Sequence, residues 1–189
     1  PCDLLILTGD YVGNFNVHNE QWFRTKFSDW LKSCPTKEIV SVAGNHDEIL
    51  ERHKKLSKEL PWVYLLDEEY VSENGLRIYG TPHQPIFFDW AFNLSEQDLD
   101  KKFKMIPSNL DILLCHGPPY SYNDRNIEGQ HCGSTSLLKA IKKKKPKYVV
   151  HSHIHEGARM SKIEESTIIN CSYVDETYDP AFDVTRFEI

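Results

Sequence analysis

Four short polar clusters, each closing an apolar run, hold the residues of this chain that can do chemistry. They are Gly9-Asp10, Gly44-Asn45-His46-Asp47, Cys115-His116-Gly117 and His153-Ile154-His155. Asp10 offers a carboxylate, Asn45 an amide oxygen, and His116, His153 and His155 three imidazoles. Mixed nitrogen and oxygen donors suit borderline divalent ions (Mn, Fe, Zn or Ni) better than Ca. The two oxygens of Asp10 can bridge two cations at the roughly 3.5–4 Å spacing of two-metal hydrolases. Such a pair polarises a phosphoryl oxygen and makes a nucleophile of water near neutral pH. Strand residues i and i+2 share a side, so His153 and His155 are expected to face one metal cluster. His46 is better used as the proton donor to the departing oxygen of a phosphoester. Asp47 is then expected to accept the other ring N–H of His46 and orient it.

Each cluster alone has a plainer reading. Gly-Asp after a strand is common, and Gly-Asn-His-Asp also describes a turn with helix-capping residues. His116 before Gly117-Pro118-Pro119 can be a strand end with a rigid turn. Four clusters in this order, each at a strand end, outweigh those readings. His151 extends the histidine alternation to 151, 153 and 155, which also allows a three-histidine mononuclear zinc site. It closes the Tyr148–Val150 run, however, and is read here as a strand residue. Lys142 to Lys145 end a helix, where they complement its dipole and stay solvated.

The elements that must position these groups are legible from pattern. Leu4 to Leu7 is a continuous apolar run, as expected of a buried parallel strand; Ile39, Val40 and Val42 read as the next strand, Leu110 to Cys115 as another buried one and Tyr148 to Val150 as a fourth. Trp22, Phe23, Phe27, Trp30 and Leu31 follow helical spacing within 18–33. A helix is expected from Glu48 to Glu59, ended by Pro61. Residues 62–66 and 76–80 read as short strands, with Asn74-Gly75 as a hairpin turn. Ser95 is placed to cap a helix running to Phe103. Leu137, Leu138 and Ile141 mark another helix. Residues 81–92 and 118–133 read as long loops, and 157–163, 167–172 and 182–188 as strands. Alternating β and α that finishes mostly β predicts helices stacked outside a pair of facing sheets.

At 189 residues, the chain is read as a single domain spanning 1–189. A net charge of −6 argues against stable nucleic-acid binding or membrane-surface binding, either of which needs a basic face. No apolar run reaches the roughly 18 residues of a membrane span. Five cysteines without a C-x-x-C pair fit a reducing compartment, so a cytoplasmic location is expected. The chain opens at Pro1, directly before a core strand, and upstream residues are expected to be missing.

The four motifs, in this order, resemble the calcineurin-like metallophosphoesterase superfamily, whose pattern is D-x-H, G-D, G-N-H-[DE], a His, and G-H-x-H. The stretches Tyr79-Gly80-Thr81-Pro82 through Leu94, His116-Gly117-Pro118-Pro119 and His153-Ile154-His155-Glu156-Gly157 resemble its metallophosphoesterase-domain subgroup, associated with phosphodiester and cyclic-nucleotide hydrolysis. The resemblance implies a four-layer α/β/β/α sandwich with two facing mixed sheets, here lacking its first strand. It implies two divalent ions, Mn favoured. Asp10 would bridge them, Asn45, His116 and His153 would complete one site, and His155 would serve the other. His46 would be the general acid, and a metal-activated water would attack phosphorus.

This chain departs from the family pattern twice. D-x-H is absent, which leaves the first metal only Asp10 and His155, and Ser152 stands where the family has Gly. The Ser152 side chain is expected to crowd the substrate or restrict the backbone. The expected activity is a metal-dependent phosphodiesterase acting on a small phosphoester or nucleotide, with His83, Gln84 and Arg125 as substrate contacts. The alternative is a weakly active or inactive scaffold on the same fold that binds protein partners.

Overall fold

A computed structural model describes residues 1–12 and 19–189, so residue 18 of the expected first helix lies outside the described residues. Cys2–Leu7 (β1), Thr36–Ser41 (β2) and Val63–Tyr64 (β3) pair in parallel as one sheet. Glu68–Val71 (β4) and Arg77–Thr81 (β5) form an antiparallel pair, while Gln84–Pro85 (β6) and Asn93–Leu94 (β7) make a separate parallel one. Ile112–Cys115 (β8), Tyr148–His151 (β9), Arg159–Ile163 (β10) and Ser166–Asn170 (β11) complete a six-stranded sheet in the order β10-β11-β9-β8-β5-β4. Its four central strands run parallel and its two edges antiparallel.

Three cores divide the apolar residues, and strand alternation decides which core each one enters. Leu4 and Ile6 of β1, Val40 of β2, Ile112 and Leu114 of β8, Val150 of β9 and Ile169 of β11 meet between the two sheets. Their sequence neighbours point outward. Leu5, Leu7 and Ile39 meet the helical stretch formed by Asn19–Trp22 (α1), a π-helical turn at Phe23–Phe27 and Ser28–Ser33 (α2). Glu48–Arg52 (α3) and Lys54–Ser57 (α4) cover the same face. Leu113, Cys115, Val149 and Ile168 meet Glu96–Lys104 (α5) and Thr135–Lys144 (α6) on the far side. The layers are therefore α/β/β/α, and burial on both faces explains why the inner strand stretches are mostly apolar. Ser95 caps α5, its Oγ accepting from Asp98 N–H at 3.2 Å.

Three expectations change. The helix expected over 48–59 is broken at His53 (φ −114°, ψ 67°) into α3 and α4. Leu50 and Leu56 are both fully buried, yet in one straight helix they would stand roughly 120° apart, and the break lets both enter the same core. The Asn74-Gly75 turn joins β4 to β5, whereas residues 63–64 pair with β2 in the other sheet. The β4 segment hid because an exposed edge strand, Glu68-Glu69-Tyr70-Val71, needs no apolar alternation. Residues 182–188 form no strand. Phe187 packs its ring on Tyr148 at 5.1 Å, and the surrounding charged residues have no face to bury. Among the described residues no helix is long and apolar enough to cross a membrane.

Phe103, 1% exposed on α5, anchors the helix to the six-stranded sheet. Phe103→Ala is expected to cost about 3–5 kcal/mol by urea denaturation, the range for deleting a buried aromatic ring.

Candidate metal centre

The four clusters follow the C-terminal ends of β1, β2, β8 and β9, parallel strands of two facing sheets. Loops leaving such ends converge in the crevice where α/β proteins hold ligands. Gly9 (φ +96°) and Gly44 make the convergence sterically possible. A Cβ on Gly9 would stand 2.2 Å from Gly44 N, and one on Gly44 would stand 2.2 Å from Asp10 Oδ1. Only bare backbone fits there. The Asp47 carboxylate, fully buried, ties the two turns together. Its Oδ2 accepts from Asp10 N–H and Gly44 N–H, both at 2.8 Å, and its Oδ1 from Tyr11 N–H at 2.9 Å.

Asp47 therefore does not orient the His46 ring, as the sequence suggested. Its oxygens are spent on backbone donors that would otherwise be buried without partners. Burial and the neighbouring Asp10 charge push its pKa up to about 7, while the three N–H donors favour the carboxylate. Asp10 Oδ1 in turn accepts from His46 N–H at 3.0 Å, which leaves Oδ2 toward the centre.

Asp10, His116 and His153 gather as one group of possible ligands, their donor atoms within 4.8 Å of one another. His116 is wholly buried and bonds Thr8 C=O through Nδ1 at 2.7 Å, so Nδ1 carries the proton. The lone pair on Nε2 then faces Asn45 Oδ1 at 2.8 Å, His153 Nδ1 at 3.1 Å and Asp10 Oδ2 at 3.3 Å. Several lone pairs pointed at one spot repel unless a cation or a proton sits between them. Donors bonded to one ion at about 2.1 Å stand roughly 3.0 Å apart at right angles and 3.4 Å at tetrahedral ones. The observed spacing fits that requirement. Asn45 turns its oxygen inward and leaves Nδ2 buried without a partner, an arrangement that ligation of the oxygen would offset. Burial opposes charge on His116, but Asp10 beside it raises its pKa. Asp10 is held well below the usual carboxylate range: burial would raise it, and His116 and His153 overcome that. Burial, reinforced by His116, lowers His153 to about 3.

His155 lies outside that group, and the expected strand alternation is not how the pair is placed. β9 ends at His151, His153 sits at φ +66°, and His155 begins a short 3-10 turn. Its Nδ1 donates to Asp175 C=O at 2.7 Å, which leaves Nε2 as its free acceptor on the same groove. His151 is buried elsewhere, with Nδ1 on Ser152 C=O at 3.2 Å, and takes no part in the cluster. Ser152 does not crowd the groove as expected. Its Oγ turns down to Thr8 C=O at 3.4 Å, the same carbonyl that holds His116.

An open groove of about 520 Å³ runs from Asp10, Asn45, His46, His153 and His155 along both predicted loops. The substrate contacts expected at His83, Gln84 and Arg125 do not line it. His83 Nε2 bonds Asp67 Oδ2 at 3.0 Å, Gln84 is 1% exposed beside Asn93, and Arg125 binds Gly129 C=O at 2.6 Å. Pro85, Ile86, Phe87 and Trp90 wall one side, and Tyr120, His131 and Cys132 another. Glu176 and Tyr178 from the chain's last segment complete the mouth, and nothing but turn-forming residues marks them in the sequence.

The family model described as calcineurin-like phosphoesterase matches residues 1–157. Metallophosphoesterase domain-containing protein 1 of Homo sapiens is 32% identical over 206 residues, covering 94% of this chain and 62% of that protein. The UPF0046 protein T07D4.2 of Caenorhabditis elegans is 39% identical over 224 residues, covering 100% of this chain and 55% of that protein. The chain thus spans about three-fifths of the length of the curated relatives it matches. The crystal structure of TT1561 of Thermus thermophilus shares the fold, with a TM-score of 0.60 at 16% identity over 90% of this chain and 76% of that one.

Asp47→Ala is expected to cost about 3–5 kcal/mol by urea denaturation, because three backbone N–H groups at the two turns lose their acceptor. Asp47→Asn, which keeps one oxygen, is expected to cost less. Burial holds the His151 imidazole down to about 4, below the ~6.5 of an exposed histidine. Between those values the unfolded chain takes up a proton that the folded one refuses. The His151 contribution to stability is thus complete above roughly pH 6.5 and falls toward pH 4 by on the order of 3 kcal/mol. His151→Gln should flatten that decline in denaturation curves taken at about pH 7 and about pH 4.5.

Proposed function

Since the chain belongs to the calcineurin-like phosphoesterase family, we propose that it is a divalent-metal-dependent phosphodiesterase acting on a small phosphoester or nucleotide. The observation that carries this reading is the convergence of Asp10, Asn45, His116 and His153 donors beside His46 on one open groove. Those four would hold one divalent ion, Mn favoured. Asp10 and His155 would contribute to a second. When bound, such ions polarise a phosphoryl oxygen and lower the pKa of water.

The chain's own residues supply the rest. His46 holds a proton at the groove wall for the departing oxygen. Burial lowers its pKa while Asp10 opposes that shift, so it yields its proton more readily than an exposed histidine. Asp47 keeps the turn bearing Asp10 against the loop bearing Asn45 and His46. Two features support a diester over a monoester. No Lys or Arg lines the groove among the described residues, and a dianionic monoester would want one more than a monoanionic diester would. Aromatic walls at Phe87, Trp90, Tyr120 and Tyr178 suit an apolar or planar ester substituent. Five free cysteines support a reducing, cytoplasmic setting.

A second reading, a scaffold without catalysis, is favoured by the position of His155 outside the ligand group. An assay with bis(para-nitrophenyl) phosphate decides between them. Turnover should require Mn, vanish with EDTA, exceed that of para-nitrophenyl phosphate, and fall about 10²–10⁴-fold in His46→Ala. No Mn-dependent turnover of either ester would favour the scaffold.

A further inference from the structure

We propose that Tyr178 is a positioning residue for His46, holding the imidazole together with Trp90; this rests on the phosphoesterase reading above. A proton donor has to be aimed, and a carboxylate on the second ring nitrogen commonly does this. Here Asp47 serves the backbone instead, and among the described residues the His46 ring makes no side-chain hydrogen bond. Aromatic contacts hold it. Trp90 lies 4.6 Å away between ring centroids, and Tyr178 meets His46 edge-on at 6.2 Å and 90°. Tyr178 also meets His155 edge-on at 5.4 Å and 85°.

The segment carrying Tyr178 is built for that contact. Tyr178 has φ +65°, a conformation that suits Asn or Gly and strains a bulky side chain. The residue is 57% exposed, so core packing does not account for it. Strain of this kind persists only where surrounding bonds enforce it. Asp175 enforces it: Oδ1 accepts from Thr177 N–H at 2.8 Å, Thr177 Oγ1 at 2.7 Å and Asp179 N–H at 3.2 Å. Asp175 N–H and C=O close the same turn onto Asp179 and Tyr178. The Asp175 carbonyl also takes the His155 Nδ1 proton. One turn is thus tied to a candidate metal ligand and carries its aromatic tip to the proton donor.

Two substitutions separate the ring from the turn. Tyr178→Asn removes the ring while suiting the positive φ, and Tyr178→Phe keeps the ring. With Mn, Tyr178→Asn should slow diphenyl phosphate about tenfold in kcat, because the poorer leaving group depends on a well-aimed acid. The better leaving group of bis(para-nitrophenyl) phosphate should lose about threefold at most. Tyr178→Phe should rescue both, and the thermal midpoint of Tyr178→Asn should not fall. Equal losses on the two esters, or none, would overturn the proposal. Histidine-ring NMR provides a readout without turnover: the His46 and His155 signals should shift in Tyr178→Asn, with His151 unmoved. Unchanged His46 signals would overturn the contact. A wild type that turns over neither ester but shows the shifts would defeat the phosphoesterase reading and leave the contact standing.

Discussion

The Asp47 carboxylate, buried and surrounded by three backbone N–H groups, is the interaction on which the centre depends. Burying a charge costs several kcal/mol unless charge-assisted hydrogen bonds replace its water. Here three backbone donors offset part of that cost, and their positions have a structural consequence. The donors come from two different chain segments, residues 10–11 and residue 44, so satisfying one carboxylate pulls two strand-end turns together. Gly9 and Gly44 remove the side chains that would keep those turns apart. Asp10 returns the brace through His46 N–H and still has one oxygen for the centre.

Backbone carbonyls then decide which nitrogen each histidine offers. Thr8 C=O takes the Nδ1 proton of His116, and Asp175 C=O takes that of His155. Both rings are left with an Nε2 lone pair. His153 differs, since its Nδ1 is the atom beside His116. Thr8 directly precedes the Gly9-Asp10 turn, so one segment places Asp10 and fixes the His116 tautomer. The centre is a packing solution as much as a ligand set.

The groove divides its work between polar and apolar walls. Imidazoles, an amide and a carboxylate occupy one end, and the long loops bring aromatic rings to the rest. His46 stands where the two meet. Its backbone is held by the polar end and its ring by aromatic neighbours. That division links the fold to the chemistry proposed: the sheets supply rigid ligands, and the loops supply shape.

Strand stretches buried on both faces are mostly apolar, which made the inner parts of β1, β2, β8 and β9 and the clusters that follow them legible from residue types alone. So was the α5 cap, a local bond between Ser95 and Asp98. Segments whose state depends on distant partners were not legible. β4 is polar because it is an edge, residues 48–57 break so that Leu50 and Leu56 can both enter one core, and residues 182–188 join no strand among the described residues. The same distinction holds at the centre. Sequence alone nominated Asp10, Asn45, His116 and His153, because a metal-binding role constrains residue type. The partners of Asp47, the offset of His155, the retreat of His83, Gln84 and Arg125, and the arrival of Tyr178 were settled by tertiary structure. Hydrogen-bond partners far apart in the chain are chosen by packing, and one-dimensional spacing carries no record of that choice.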